Sequence, residues 1–278
     1  MSSPGIPLAA IVMPPGGTSA LPRVMDYWFK VTGLSGCYVP LEVEFNDLEA
    51  VLTTLPKIGF VGLHIAPAYQ KAMLAHADII TDRAALMAGA NTIIFRKDGK
   101  LHGDNTDGYG FVENIRQTVP DWDPRMGPAA IFGAGQSARV IIAALLEVGV
   151  EEIRVASRTR PKTDQLRQEF GTRIKVYDWI KAGNLADGAA MVVNATPLGR
   201  QGMPEFRVPL DGLRPGSVAC DLTVDPPDTR FLRQAHDYGS HAIDGSGMML
   251  CQAAPSFERW FGERPPTDDA ARAVLWAT

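Results

Sequence analysis

Ala129-Ala130-Ile131-Phe132-Gly133-Ala134-Gly135-Gln136-Ser137-Ala138 is the stretch on which the fold turns. Its first four residues suit a short buried strand, and the nearly all-apolar run 137–148 that follows has the length of a helix. Between them lies G-x-G-x-x-A. Without side chains at Gly133 and Gly135, backbone N–H groups can approach a pyrophosphate at the helix N-terminus, where the helix dipole favours negative charge. An ordinary glycine-rich turn is the alternative. The dinucleotide reading is favoured because a second apolar run, 153–156, completes a strand–helix–strand unit of about thirty residues. Gly133, Ala134, Gly135, Gln136 and Ser137 are therefore the expected phosphate contacts.

Towards the C-terminus, the runs 191–194 and 217–222 are apolar and bounded by Gly, Pro or Asp, as expected of parallel strands buried on both faces. This half is expected to be a Rossmann-type, doubly wound parallel sheet. NAD-binding versions place an Asp or Glu about 20 residues after the glycines, to accept a hydrogen bond from the ribose 2′-hydroxyl. Here that place holds Ser157-Arg158-Thr159-Arg160. A guanidinium pairs with a 2′-phosphate that a carboxylate would repel, and two hydroxyls add donors. NADP is the expected cofactor, with NAD as the alternative; the plain reading of the two arginines is a solvated surface.

Towards the N-terminus, the turn-rich segment 121–128 follows a predicted helix over 108–119 and marks the entry to this unit. Upstream, apolar runs at 8–13, 37–43, 59–65 and 92–95 alternate with helical patterns at 23–32 and 68–75, the rhythm of a second α/β layer. From Ser246 onward, Met248, Met249, Leu250, Phe257 and Trp260 predict helices that return to that layer. Two domains suit 278 residues at roughly 150 per domain.

Composition narrows the function. With 27 Lys and Arg against 31 Asp and Glu, the net charge is −4, and no basic field exists to hold nucleic acid. The three cysteines are odd in number and form no C-x-x-C pair, which argues against a disulfide framework or a cysteine-based zinc site and fits a reducing cytoplasm. The histidines lack H-E-x-x-H spacing, so no metal is expected. No basic leader or run of about 18 apolar residues indicates export or a membrane span. The expected partner is a small-molecule substrate, and the expected state a monomer or homodimer.

Several segments in order resemble the shikimate dehydrogenase family over nearly the whole chain. Ala90-Asn91-Thr92 and Gly103-Asp104-Asn105-Thr106-Asp107-Gly108 are similar to its A-x-N-T and G-x-N-T-D-G segments. Asn194-Ala195-Thr196-Pro197-Leu198-Gly199 resembles its N-A-T-x-x-G turn beside the cofactor. Asp221, Pro226 and Thr229, and then Gly245 through Met248, Gln252 and Ala254, resemble D-x-x-Y-x-P-x-x-T and G-x-G-M-L-x-x-Q-A-A. The resemblance implies a substrate domain made of both chain ends, 1–106 and 245–278, a central NADP domain over 107–244, and a cleft between them. It further implies hydride transfer between nicotinamide and a ring hydroxyl or ketone of shikimate, 3-dehydroshikimate or a related small hydroxylated acid, in aromatic amino acid biosynthesis. Ser19, Asn91 and Gln252 are the implied substrate contacts, and Asn194, Thr196, Gly245 and Met248 the further cofactor contacts. Four positions depart from the family pattern. Gln70 stands at the catalytic lysine and Ala66 at the threonine of N-V-T-x-P-x-K, Leu21 replaces the second serine of S-x-S-P, and Val224 replaces the tyrosine after Asp221.

Alcohol oxidation needs a group to take the hydroxyl proton. Gln70 cannot titrate, although its amide can donate, which leaves Asp107 as the leading acid/base; its bland alternative is an N-cap for the helix that follows. Asp107 would need burial, or an apolar neighbour such as Leu21, to raise its pKa towards neutrality. Lys71 could substitute only through a one-residue slip, since adjacent helical residues point about 100° apart. His64 is a further candidate proton carrier, or a hydrogen-bonded structural residue. Asn91 and Gln252 suit ring hydroxyls or buried backbone groups, and Met248 and Met249 suit a nicotinamide wall or core packing. The rival to the enzyme is a binding module that senses the dinucleotide and does little chemistry.

Overall fold

The computed structural model describes residues 5–276, which divide into two compact units, one made of 5–107 and 250–276 and the other of 108–249. The sequence places the second boundary before Gly245, whereas the contacts place it after Met249. The helix that opens at Gly245 begins in one unit and continues into the other.

The first unit contains β1 (Leu8–Met13), α1 (Leu21–Thr32), β2 (Cys37–Glu42), α2 (Leu48–Thr54), β3 (Phe60–Ile65), α3 (Pro67–Gln70), α4 (Met73–His76), β4 (Ile79–Ile80), α5 (Asp82–Leu86), β5 (Thr92–Phe95) and β6 (Leu101–Asp104). Its sheet runs β2-β1-β3-β5-β6-β4 and is mixed: β1 pairs in parallel with β2 and β3, while β5 is antiparallel to β3 and β6. Leu21, Val24, Met25 and Trp28 are the buried face of α1, at the i, i+3, i+4, i+7 spacing of an amphipathic helix. Sequence periodicity predicted one helix over 68–75. The structure instead has two single turns, the second opened by the tight bond from Ala75 N–H to the Ala72 carbonyl at 3.0 Å.

The second unit contains α6 (Asp107–Thr118), whose first residue belongs to the first unit, then β7 (Ala129–Phe132), α7 (Gln136–Glu147), β8 (Ile153–Ser157), α8 (Arg160–Phe170), β9 (Ile174–Asp178), β10 (Met191–Asn194), β11 (Val218–Asp221), α9 (Arg230–Asp237) and β12 (His241–Ile243). All six strands are parallel, in the order β12-β11-β10-β7-β8-β9. This is the doubly wound dinucleotide-binding order, with its reversal between β7 and β10. Nearly every residue of those two strands is buried, which explains why they read as unbroken apolar runs.

The last two helices are α10 (Gly245–Phe261) and α11 (Asp269–Val274). The C-terminal half of α10 packs on α1, with Trp28 and Phe257 edge to face at 5.4 Å and Phe29 against Phe261 at 4.8 Å. The Trp28 indole N–H donates to the Pro266 carbonyl at 2.8 Å, so its polar handle is met within a buried aromatic cluster.

Trp260 approaches β3 so closely that a Cβ on Gly62 would lie 2.0 Å from the indole nitrogen. Beside it His64 is buried, accepting or donating at Nδ1 to the Tyr38 hydroxyl at 2.7 Å, with its ring 4.7 Å from that of Trp260. Burial pushes the His64 pKa down to about 3 and the Tyr38 phenol up, so this imidazole is structural and stays uncharged near neutrality. In the unfolded chain His64 titrates near 6.5, so between 6.5 and about 3 the unfolded state binds the extra proton. Its contribution to stability is whole above about pH 6.5 and is lost as the pH falls towards the folded value. Thermal melts should show the wild-type Tm falling more steeply from about pH 6.5 to about pH 4 than that of His64→Asn. Parallel curves would contradict this.

Candidate active site

In the second unit the glycine turn sits at the carboxyl end of β7. Gly133 has φ +121°, and a Cβ there would meet the Ala195 carbonyl oxygen at 2.6 Å, so this residue is glycine for both backbone and packing reasons. Gly135 is different. It is the exposed N-cap of α7 and a Cβ on it would point into open space. The turn thus leaves the helix N-terminus accessible to an anion, as a pyrophosphate requires. Ser137 is exposed and Gln136 half-buried on the first turn of α7, while Ala134 is buried.

The chain after β10 forms the wall opposite Gly133. Asn194 is buried with both ends of its amide engaged: Nδ2 donates to the Leu198 carbonyl at 2.9 Å and to Asp221, and Oδ1 accepts from the Thr196 N–H and hydroxyl at 3.1 and 2.6 Å. Asn194 therefore shapes the turn, its side-chain amide fully engaged within the protein. Asp221, also buried, accepts from Thr223 N–H at 3.0 Å and from the Thr229 hydroxyl at 2.7 Å. Thr229 in turn caps α9 through Leu232 N–H. Burial raises the Asp221 carboxyl above its ordinary pKa, and these donors partly offset the rise.

The end of β8 separates the two arginines that the sequence grouped. Arg160 is held by Asp164 at 3.0 Å and by Asp178, whereas exposed Arg158 has no ion pair among the described residues. Ser157 accepts the Thr159 N–H at 3.2 Å, fixing the turn that presents Arg158. The donor chemistry fits a 2′-phosphate. Gly245 is buried, where a Cβ would meet the Leu222 carbonyl at 2.7 Å, and Met248 packs partly against the core of this unit.

In the first unit Asn91, Thr106, Asp107 and Gln252 converge. Asn91 Nδ2 lies 2.8 Å from Asp107 Oδ1, 3.0 Å from Thr106 Oγ1 and 3.2 Å from Gln252 Oε1. The Gln70 amide also donates to Asp107 and lies 3.3 Å from the Ile65 carbonyl. Asp107 opens α6, and its N–H is received by Asn105 Oδ1 at 3.0 Å. Its carboxylate is thus held by neighbouring amides, away from the N-cap role. Burial raises the Asp107 carboxyl above its ordinary pKa, and the hydrogen bonds from Asn91 and Gln70 offset this in part. No charged group contributes to the shift, and Leu21 is buried in the core-facing row of α1.

Ser19 is half-buried and its hydroxyl accepts the Leu21 N–H at 3.1 Å. Gln70 is buried and Lys71 is exposed, so the lysine does not replace the lost cation by a slip of one residue. Sequence reading missed Asn105, Thr92 and Ser256 as members of this network. Ser256, one helical turn beyond Gln252, was open to discovery from spacing alone. Among the described residues no cluster of His, Cys, Asp or Glu could hold a metal ion.

Family models match three parts of the chain. Residues 13–93 match the shikimate dehydrogenase substrate binding domain, 120–200 the shikimate / quinate 5-dehydrogenase model, and 245–275 the shikimate 5′-dehydrogenase C-terminal domain. The chain is 51% identical over 273 residues to a shikimate dehydrogenase (NADP(+)) of Cereibacter sphaeroides, covering 98% of both chains. It is 50% identical to the protein of that name from Paracoccus denitrificans, covering 98% of this chain and 96% of the relative. Among solved structures, a shikimate 5-dehydrogenase from Thermus thermophilus in complex with NADP(H) and shikimate superimposes with a TM-score of 0.85 at 28% identity, covering 98% of this chain and 99% of that one.

Proposed function

The chain belongs to the shikimate dehydrogenase family, and on that premise we propose that it oxidises the ring carbinol of shikimate, or reduces the ketone of 3-dehydroshikimate, with NADP as coenzyme. The observation that carries the acid/base assignment is a half-buried Asp107 held by two uncharged amides and by no cation. NADP supplies the hydride acceptor or donor when bound. In the oxidation direction the Asp107 carboxylate takes the hydroxyl proton as the C–H hydride departs and the C–O bond becomes C=O; the reduction returns the same proton. A raised pKa moves the carboxyl in the direction of neutral operating pH, as a general acid/base requires.

Gln70 steadies the carboxylate, and its amide is also of a type that donates to a developing alkoxide. Asn91, Gln252 and Ser19 are assigned to the substrate's hydroxyl and carboxylate groups, with one donor fewer than the family pattern because Leu21 replaces serine. One unmet buried partner costs about 1–3 kcal/mol, so selectivity among hydroxylated acids should differ from a site with both serines. The pyrophosphate is assigned to Gly133, Ala134, Gly135, Gln136 and Ser137, and the 2′-phosphate to Arg158 with Ser157 and Thr159. A binding-only module is disfavoured by relatives that are dehydrogenases over nearly the full chain. No helix of the described residues is long and apolar enough to cross a membrane. The three free cysteines support a cytoplasmic setting, and a monomer or homodimer is proposed.

Steady-state kinetics with shikimate and NADP+ test both assignments. Asp107→Asn should lower kcat by about 10²- to 10⁴-fold and abolish the rise of rate with pH that deprotonation of the carboxyl produces. Wild-type turnover in that variant would refute the acid/base role. Arg158→Ala should raise KM for NADP+ by about 10- to 100-fold while KM for NAD+ stays within about twofold; equal effects on both coenzymes would remove Arg158 from the 2′-phosphate site.

A further inference from the structure

Gln252, Ser256 and Trp260 are spaced by four along α10 and so line one face of the helix. Gln252 Oε1 meets Asn91 Nδ2 at 3.2 Å, and one turn on Ser256 Oγ lies 3.0 Å from Thr92 Oγ1. Both hydroxyls are buried, where an unmet polar group is costly. The direction of the chain of bonds follows from what each group can do. The Thr106 backbone N–H can only donate, and it meets Asn91 Oδ1 at 3.0 Å. Thr92 Oγ1, 2.9 Å from the same oxygen, must donate to it as well, which leaves its lone pairs for the Ser256 proton. Ser256 thus donates to Thr92 and Thr92 to Asn91 Oδ1, and the Asn91 NH2 group faces Asp107.

Building on Asp107 as the acid/base, we propose that Ser256 and Thr92 are positioning residues that keep the Asn91 amide in this orientation while Asp107 gains and loses its proton. An ionised carboxylate selects the NH2 end of the amide by itself. Once protonated, its hydroxyl could donate to Asn91 Oδ1 if the amide turned over, and the proton would be held by the protein instead of being presented to the substrate. Thr92, fixed as a donor by Ser256, occupies Oδ1 together with Thr106 N–H and opposes that turn. The side chains that act on Asp107, Asn91 and Gln70, are both uncharged, so no second titration mixes with its own.

Carbon NMR of the Asp107 carboxyl, with shikimate and NADP+ kinetics on the same full-length proteins, tests the proposal. Ser256→Ala should raise the Asp107 titration by about half a unit to one unit and lower kcat about tenfold, as loss of one hydrogen bond would, with KM for NADP+ unchanged. Ser256→Thr should restore both. Should Ser256→Ala fail to fold, Thr92→Val carries the same expectation. A folded variant with an unshifted carboxyl titration and wild-type kcat overturns the proposal. An inactive Asp107→Asn beside an unaffected Ser256→Ala removes this inference alone, whereas a fully active Asp107→Asn removes the acid/base reading and this inference with it.

Discussion

The Asp107 carboxylate is held by the amides of Asn91 and Gln70 in a half-buried setting where, among the described residues, no charged group shifts its pKa. Burial disfavours the charged form and neutral donors compensate only in part, so the carboxyl is left with a raised pKa. A lysine at position 70 would reverse that balance, because an ammonium within a few ångströms stabilises the carboxylate and brings a titration of its own. Replacing it by glutamine keeps a donor of similar reach while removing the charge. On the proposed assignment the proton chemistry of the site then rests on Asp107.

The rest of the first unit makes that arrangement rigid. β5 and β6 pair so that Thr92 lies opposite Asp104, which leads straight into Asn105, Thr106 and Asp107. The Gln70 carbonyl accepts Ala90 N–H at 2.9 Å and the Asn91 carbonyl accepts Ile65 N–H at 2.8 Å, so the two amide-bearing segments are clamped by their backbones. In the second unit the binding chemistry is supplied by backbone placement: a left-handed glycine under the Ala195 carbonyl and an open helix N-terminus at the reversal of strand order. The Asp221, Asn194 and Thr229 network fixes the neighbouring strand ends.

Legibility followed burial and length. β1, β5, β7 and β10 stood out as apolar runs because they are buried on both faces or nearly so, and α7 because its apolar stretch is long. β4, of two residues, and β6, with His102, Gly103 and Asp104 among its four residues, carry no such pattern; they exist because partners complete their pairing. Motifs located Asp107, Asn91 and Gln252, but which end of each amide faces which neighbour is a tertiary fact. So is the split between Arg158 and Arg160, which depends on carboxylates that arrive from α8 and β9.

The central claim is that a lone carboxyl, set by burial among neutral donors, governs proton transfer. The dependence of kcat/KM on pH in Gln70→Lys, compared with the wild type, tests it most directly. A cation introduced beside Asp107 should move the carboxyl-controlled limb to lower pH by about 1–3 units. A limb that stays in place, or moves to higher pH, would show that another group controls the reaction.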